Sequence, residues 1–274
     1  MATQRIVRVR DGEAGDSWGL LVDDETVDLL ADSPFDGLQP TGEKRALASV
    51  KLLAPIDTGA RLIGVGLNYM KHAEESNLPA PEQPMLFHLP STAIVGQGDD
   101  IVYPREGQVI HFEGELGVVI GRPARRVSAA NALDYVLGYT IANDVSERVI
   151  QKKEMANGCM LICKGYDTFK PLGPCIVTDL DPSDLQLTTR VNGDVKQSSS
   201  TSDLIFPVPQ LIEYMSAAIT LLPGDIIITG TPSGVGDIHP GDEIVIDIEG
   251  IGTLSNSVVA EGTTKVEWPI KTLS

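Results

Sequence analysis

Between Val109 and Gly121 the chain reads Val-Ile-His-Phe-Glu-Gly-Glu-Leu-Gly-Val-Val-Ile-Gly, and no other stretch limits the possible folds so strongly. Successive side chains on a strand face opposite ways. Phe112, Leu116, Val118 and Ile120 therefore share one face suited to a core, while Glu113 and Glu115 share the other, two residues apart. Two neighbouring carboxylates repel unless a cation lies between them. A hard divalent ion such as Mg²⁺, Mn²⁺ or Ca²⁺ is the natural oxygen-ligated partner. A solvated outer face is the alternative, and the strand alone leaves both open.

The rest of the sequence surrounds this strand with more of the same kind. Alternating apolar positions at Arg5–Arg10, Ser17–Val22 and Glu25–Leu30 read as short strands, followed by a polar loop from Asp32 to Glu43. Arg61–Gly66, Asp134–Ala142, Cys175–Thr178, Leu187–Val191, Ile226–Thr229, Ile244–Ile248 and Ser257–Val259 are further strands, and Asn192-Gly193 is a hairpin turn. Helical composition is confined to Asn68–Ser76 and to about Pro207–Thr220, where Leu211, Ile212, Met215, Ala218, Ile219 and Leu222 recur at helical spacing. With 27 glycines, 18 prolines and only 5% aromatics, tight turns between strands outweigh helix packing. The expectation is a β-rich α+β fold: a small strand-rich N-terminal lobe over residues 1–54 and a larger domain over 55–274.

A net charge of −17 excludes polyanionic partners, so nucleic acid and anionic membranes are not expected. An anionic substrate needs local positive charge from a metal or from selected Lys and Arg. No signal-peptide-like start and no run of 18 apolar residues is present, and three cysteines (Cys159, Cys163, Cys175) fit ordinary thiols in a reducing compartment. A cytoplasmic location follows as the expectation.

Other residues could join the two glutamates. Asp144 follows an apolar strand, where it is either a third ligand or a turn residue. His72 and Glu75, three apart on a helix, share a face; a carboxylate holding one imidazole nitrogen frees the other to take a proton. The bland reading is an exposed histidine with a casual partner. Gly64-Val65-Gly66 fails the dinucleotide fingerprint, and Thr229–Gly236 lacks the ending of a P-loop but could offer hydroxyl and N–H groups to a carboxylate. No Gly-x-Ser-x-Gly elbow occurs.

Taken in order, several blocks resemble the fumarylacetoacetate hydrolase family from about Leu62 to Glu261. They are Gly66-Leu67-Asn68-Tyr69 with His72 and Glu75; Phe112-Glu113-Gly114-Glu115-Leu116; Gly138-Tyr139 through Asn143-Asp144-Val145-Ser146 to Arg148 and Gln151; Lys164-Gly165-Tyr166-Asp167-Thr168-Phe169 with Pro171–Pro174; Val191-Asn192-Gly193; and Pro223-Gly224-Asp225 with Thr229–Gly236. The resemblance implies a mixed β-sandwich roll, commonly a homodimer. It implies a divalent cation, Mg²⁺ or Mn²⁺ with Ca²⁺ as an alternative, on Glu113, Glu115 and Asp144. It further implies a water-activating His72–Glu75 dyad on a lid helix, Lys164 stabilising negative charge, and Arg148, Gln151 and Thr231 holding the oxygens of a small oxo- or enol-acid. The expected reaction is hydrolysis of a C–C bond in a 1,3-diketo acid through an enolate. Decarboxylation or tautomerisation at the same site, or binding without turnover, are the competing readings. One departure stands out: Leu89 occupies the place of a lysine usual in relatives acting on short acylpyruvates, so that cationic contact is missing or is replaced by His88.

Overall fold

The computed structural model describes residues 3–12, 15–56 and 59–262, and among them β-structure dominates. The largest sheet runs in the order Pro40–Ala46, Thr26–Leu30, Asp16–Leu21, Arg5–Arg10, Lys170–Val177, Val136–Asn143, Gly114–Ile120, Ile226–Ile228, Leu62–Gly66, Met85–Leu89. Most neighbours are antiparallel, but Ile226–Ile228 pairs parallel to Leu62–Gly66, so the sheet is mixed. A second sheet orders Asp194–Ser200, Gln186–Val191, Glu243–Ile248, Gly252–Ala260 and Ile101–Tyr103.

Both faces of the large sheet are covered, which is why its central strands are almost uniformly apolar. On one face Leu116, Val118, Ile120 and Ile141 pack with Leu187, Ile244, Ile246 and Leu254 of the second sheet, forming the sandwich. On the other face Ile6, Leu20 and Leu30 meet Leu62, Leu89, Val119, Ile226 and Ile228. These side chains come from opposite ends of the strand order, so the sheet curls on itself as a roll. The expected roll architecture is therefore present. The N-terminal strands lie within the same sheet, because Arg5 and Ile6 pair with Val177 and Ile176.

Among the described residues four α-helices carry connections: α1 (Met70–Glu75), α2 (Arg148–Ala156), α3 (Ile162–Gly165) and α4 (Val208–Ala218). The helices expected near residues 68–76 and 207–220 correspond to α1 and α4, while α2 and α3 are additions. The asparagine and glycine at 192 and 193 both adopt positive φ between the paired Val191 and Asp194, as a two-residue hairpin turn requires. The expected loop from Asp32 to Glu43 is corrected at its end, since Pro40–Ala46 forms an edge strand. Almost all of that strand is exposed, so no apolar alternation marks it.

The stretch expected as one strand from Val109 to Gly121 is broken at Glu113. Ile110–Phe112 belongs to a small sheet with Ser146–Glu147 and Gly236–Asp237, whereas Gly114–Ile120 enters the large sheet. Gly114 makes this switch possible. A Cβ there would lie 2.3 Å from Thr189 Oγ1 and 3.1 Å from Gln197 Oε1, so only glycine lets the strand approach the second sheet so closely.

Candidate active site

The break at Glu113 places three acidic groups together. Its main-chain N–H donates to Asn143 Oδ1 (3.0 Å), and the Asp144 N–H donates to the Glu113 carbonyl (2.9 Å). Two chain segments thirty residues apart are thereby locked side by side. Carboxylate oxygens of Glu113, Glu115 and Asp144 all lie within 4.8 Å of one another, and all three residues are buried. The solvated-face reading of Glu113 and Glu115 is excluded, because both are inside the protein.

Buried anions need compensation. Lys164, presented by α3, donates from Nζ to Glu113 Oε2 (2.7 Å), Asp144 Oδ2 (2.8 Å) and Ser146 Oγ (2.7 Å). Arg148 at the start of α2 reaches Glu113 Oε1 at 2.6 Å and donates to Gln151 Oε1 at 2.7 Å. Burial alone would raise the Glu113 carboxyl, but Lys164 and Arg148 overcome it and bring the group down to about 2. The Lys164 ammonium is held above its ordinary range, because Asp144 and Glu113 outweigh its own desolvation.

Glu115 is different. Burial first, then the charges of Asp144 and Glu113, push its carboxyl well above the usual range. Its carboxylate accepts from the Gly230 N–H at 2.5 Å. Gly230 has φ +101°, and a Cβ there would lie 2.8 Å from Asn68 Cβ and 3.0 Å from the Val65 carbonyl, so glycine is required for that approach. The glycine-rich loop Thr229–Gly236 thus presents N–H groups to carboxylates, as the sequence suggested, but to the protein's own. Gly230 serves Glu115, and the Gly234 N–H donates to Glu75 Oε1 at 3.1 Å.

The same hydrogen bond anchors helix α1. His72 Nδ1 lies 3.0 Å from Glu75 Oε2, leaving Nε2 as the other ring nitrogen. His72 lines a cavity of about 360 Å³ together with Glu113, Glu115, Asp144, Arg148, Gln151, Lys164 and Thr231. Of the nine residues singled out from the sequence, eight line this one cavity, and Glu75 touches it through His72. The Thr231 hydroxyl is already engaged, donating to the Gly114 carbonyl (3.0 Å) and accepting from Gln197 Nε2 (2.8 Å). His88 is exposed and absent from the cavity wall, so it does not replace the missing lysine. Leu89 is fully buried beside Leu62 in the core of the roll.

Sequence reasoning missed three supports. Lys170, fully buried, approaches Asp144 Oδ1 at 2.8 Å and donates to the Val145 and Phe169 carbonyls. A lone lysine inside an apolar run, Phe169-Lys170-Pro171-Leu172, was the available signal. Glu154 on α2 accepts from the main-chain N–H groups of Leu161, Ile162 and Cys163 at 2.9–3.1 Å, fixing the turn that presents Lys164. Gln197 holds Gly114 and Thr231. Nothing local in the sequence marks either of the last two.

A family model described as fumarylacetoacetate (FAA) hydrolase, C-terminal, matches residues 61–259, and an Rv2993c-like N-terminal model matches residues 4–55. Protein Rv2993c of Mycobacterium tuberculosis is 48% identical over 255 residues, 92% of this chain and 93% of that protein. The mitochondrial oxaloacetate tautomerase FAHD2A of Bos taurus is 42% identical over 223 residues, 77% of this chain and 70% of that protein. A crystal structure of 5-carboxymethyl-2-hydroxymuconate delta-isomerase from Mycobacterium smegmatis superposes with a TM-score of 0.86 at 47% identity, covering 94% of this chain and all of that one. Among the described residues no helix is long and apolar enough to cross a membrane. With matched positions spanning most of its length and its acidic triad carried on the matched segment, the chain belongs to the fumarylacetoacetate hydrolase family.

Proposed function

We propose that this chain is a tautomerase or isomerase of small 2-oxo acids that moves a proton through an enolate. The observation that carries the reading is the convergence of Glu113, Glu115, Asp144, Lys164, Arg148 and His72 on one cavity. The activities named for the bovine and M. smegmatis relatives support proton transfer over bond cleavage.

The acidic triad fits a hard cation. Glu115 faces two other carboxylates, and the Gly230 N–H and the nearby Lys164 charge do not offset them and its burial, so its charge calls for a further positive group. A divalent ion on Glu113, Glu115 and Asp144, Mg²⁺ or Mn²⁺ with Ca²⁺ as an alternative, supplies Lewis-acid polarisation of a keto oxygen. The chain's own residues do the rest. Arg148 and Gln151, joined to each other, offer N–H donors to a substrate carboxylate. Lys164 sits where negative charge on the enolate oxygen develops, and it is fixed before the reaction by three partners. His72, oriented by Glu75, takes the proton from the carbon beside the keto group and returns it to the oxygen, or the reverse.

A second reading is hydrolysis of a 1,3-diketo acid, favoured by the same His72–Glu75 pair, which can equally activate water. Decarboxylation of a β-keto diacid is open to the same floor. One assay separates them. Enol absorbance of oxaloacetate and of acylpyruvates is followed with added Mg²⁺, and products are identified by NMR. Loss of enol with an intact carbon skeleton, slowed on the order of 10²–10⁴-fold by His72→Ala, is the expected result. Release of pyruvate and a second acid would move the assignment to hydrolysis. Full activity of metal-stripped Glu115→Ala protein would remove the basis of both.

A further inference from the structure

The cavity is not uniform from floor to mouth. Its floor holds Glu113, Glu115, Asp144 and Lys164, none more than 4% exposed. The remaining wall is largely apolar: Leu78, Met85, Phe87, Met155, Met160 and Val235. Leu78 is 47% and Met155 45% exposed, so this part opens to solvent. Each basic side chain lining the cavity has an acidic neighbour, and Arg148, whose remaining donors are assigned above to the head carboxylate, is committed to the floor. Arg148 and Lys164 bind Glu113, His72 binds Glu75, and His111 Nε2 lies 2.9 Å from Asp237 Oδ1. The position where a lysine was expected is Leu89, packed in the core, and His88 points elsewhere.

We infer that the mouth is a binding subsite for an uncharged apolar tail, so that the enzyme selects 2-oxo acids with one carboxylate over diacids of equal length. The inference rests on the reading above that the floor takes the oxo-acid head. With the head at the buried floor, the half-exposed part of the wall at Met155 and Leu78 is where the rest of the molecule meets solvent. A tail methylene there leaves water and gains contact with thioethers, which are polarisable and adapt to its shape. A terminal carboxylate at the same place would lose hydration and meet no unengaged cation on the described wall. Methionines on this wall also suit tails of varying length better than a rigid aromatic slot.

Calorimetric titration of the Mg²⁺-loaded full chain tests this without relying on turnover. The ligands are 2-oxobutanoate, 2-oxohexanoate, 2-oxooctanoate and 2-oxoadipate. Affinity should rise roughly fourfold for each of the first added methylenes. 2-Oxohexanoate should bind at least about tenfold more tightly than 2-oxoadipate, its six-carbon diacid counterpart. Met155→Lys, at a half-exposed position that tolerates the change, should narrow or invert that ratio. A diacid bound as well as or better than the monoacid overturns the proposal and leaves the oxo-acid assignment intact. No binding by any of the four ligands sinks the oxo-acid assignment itself. An unchanged ratio in Met155→Lys overturns the proposal, and an altered sedimentation coefficient beside it assigns the apolar patch to a second copy of the chain.

Discussion

The floor of the cavity and the lid above it are built on opposite principles. At the floor, Lys164 and Lys170 are buried ammonium groups whose Nζ atoms each have three oxygen partners, and Asp144 is gripped by one lysine on each oxygen. The lid helix α1 has six residues, of which only Ala73 is buried. Within it, Glu75 reaches the glycine loop through the Gly234 N–H, and the Lys71 N–H is 3.4 Å from Asp203. Charges that must stay fixed are set in a low-dielectric, over-determined network, while His72, the proposed proton carrier, sits on a short helix with a single buried residue. The floor should therefore fail through stability and the lid through rate.

The largest effect is expected from Lys170→Met. It removes a cation from Asp144, takes the donor from the Val145 carbonyl and leaves the Phe169 carbonyl with the Val145 N–H alone, so unfolding free energy should fall by about 3–5 kcal/mol. Chemical denaturation reads this directly. A loss below about 1 kcal/mol would mean that Lys164 alone compensates Asp144, and the contrast between floor and lid would lose its main support. Glu154→Ala is expected in between, at roughly 1–3 kcal/mol, because three main-chain N–H groups lose one acceptor but can partly recruit water. Its distinctive readout is kinetic. The turn bearing Lys164 would loosen, lowering kcat more than it raises KM, and Glu154→Gln, which keeps an oxygen acceptor, should recover part of the loss.

Those two residues also show where sequence reading stops. The strand from Gly114 to Ile120 was legible because Leu116, Val118 and Ile120 alternate on one core-facing side, and the pair Glu113 and Glu115 stood out on the other, which the structure buries too. Helix α4 was legible because Leu211, Ile212 and Met215 recur at helical spacing and are buried, although Ala218, Ile219 and Leu222, expected on the same stripe, are exposed at or beyond its end. Helix α2 (RVIQKKEMA) buries no residue and is mostly polar, so no apolar run marks it, yet it supplies Arg148, Gln151 and Glu154 to the site. The switch between sheets at Glu113 was hidden for another reason. It depends on Thr189 and Gln197, more than seventy residues away, crowding the space beside Gly114. Periodicity reports burial of one element against a face; it does not report a contact whose only trace is the absence of a side chain.

The smallest change in stability, with a large change in rate, is expected from the lid. His72 makes one side-chain bond, to Glu75, and its side chain is 14% exposed on a helix that is otherwise mostly exposed, so His72→Ala should cost about 1 kcal/mol. Turnover should nevertheless drop on the order of 10²-fold or more, since no other group on the described wall is both paired with a carboxylate on α1 and free at its second nitrogen. Glu75→Gln sharpens the test. A glutamine can still accept from the Gly234 N–H and keep α1 in place, but it cannot stabilise an imidazolium as a carboxylate does. If Glu75 serves proton transfer, the glutamine variant keeps its melting temperature and loses rate. If Glu75 serves only to tether the lid, both are retained, and the histidine loses its claim to be the base.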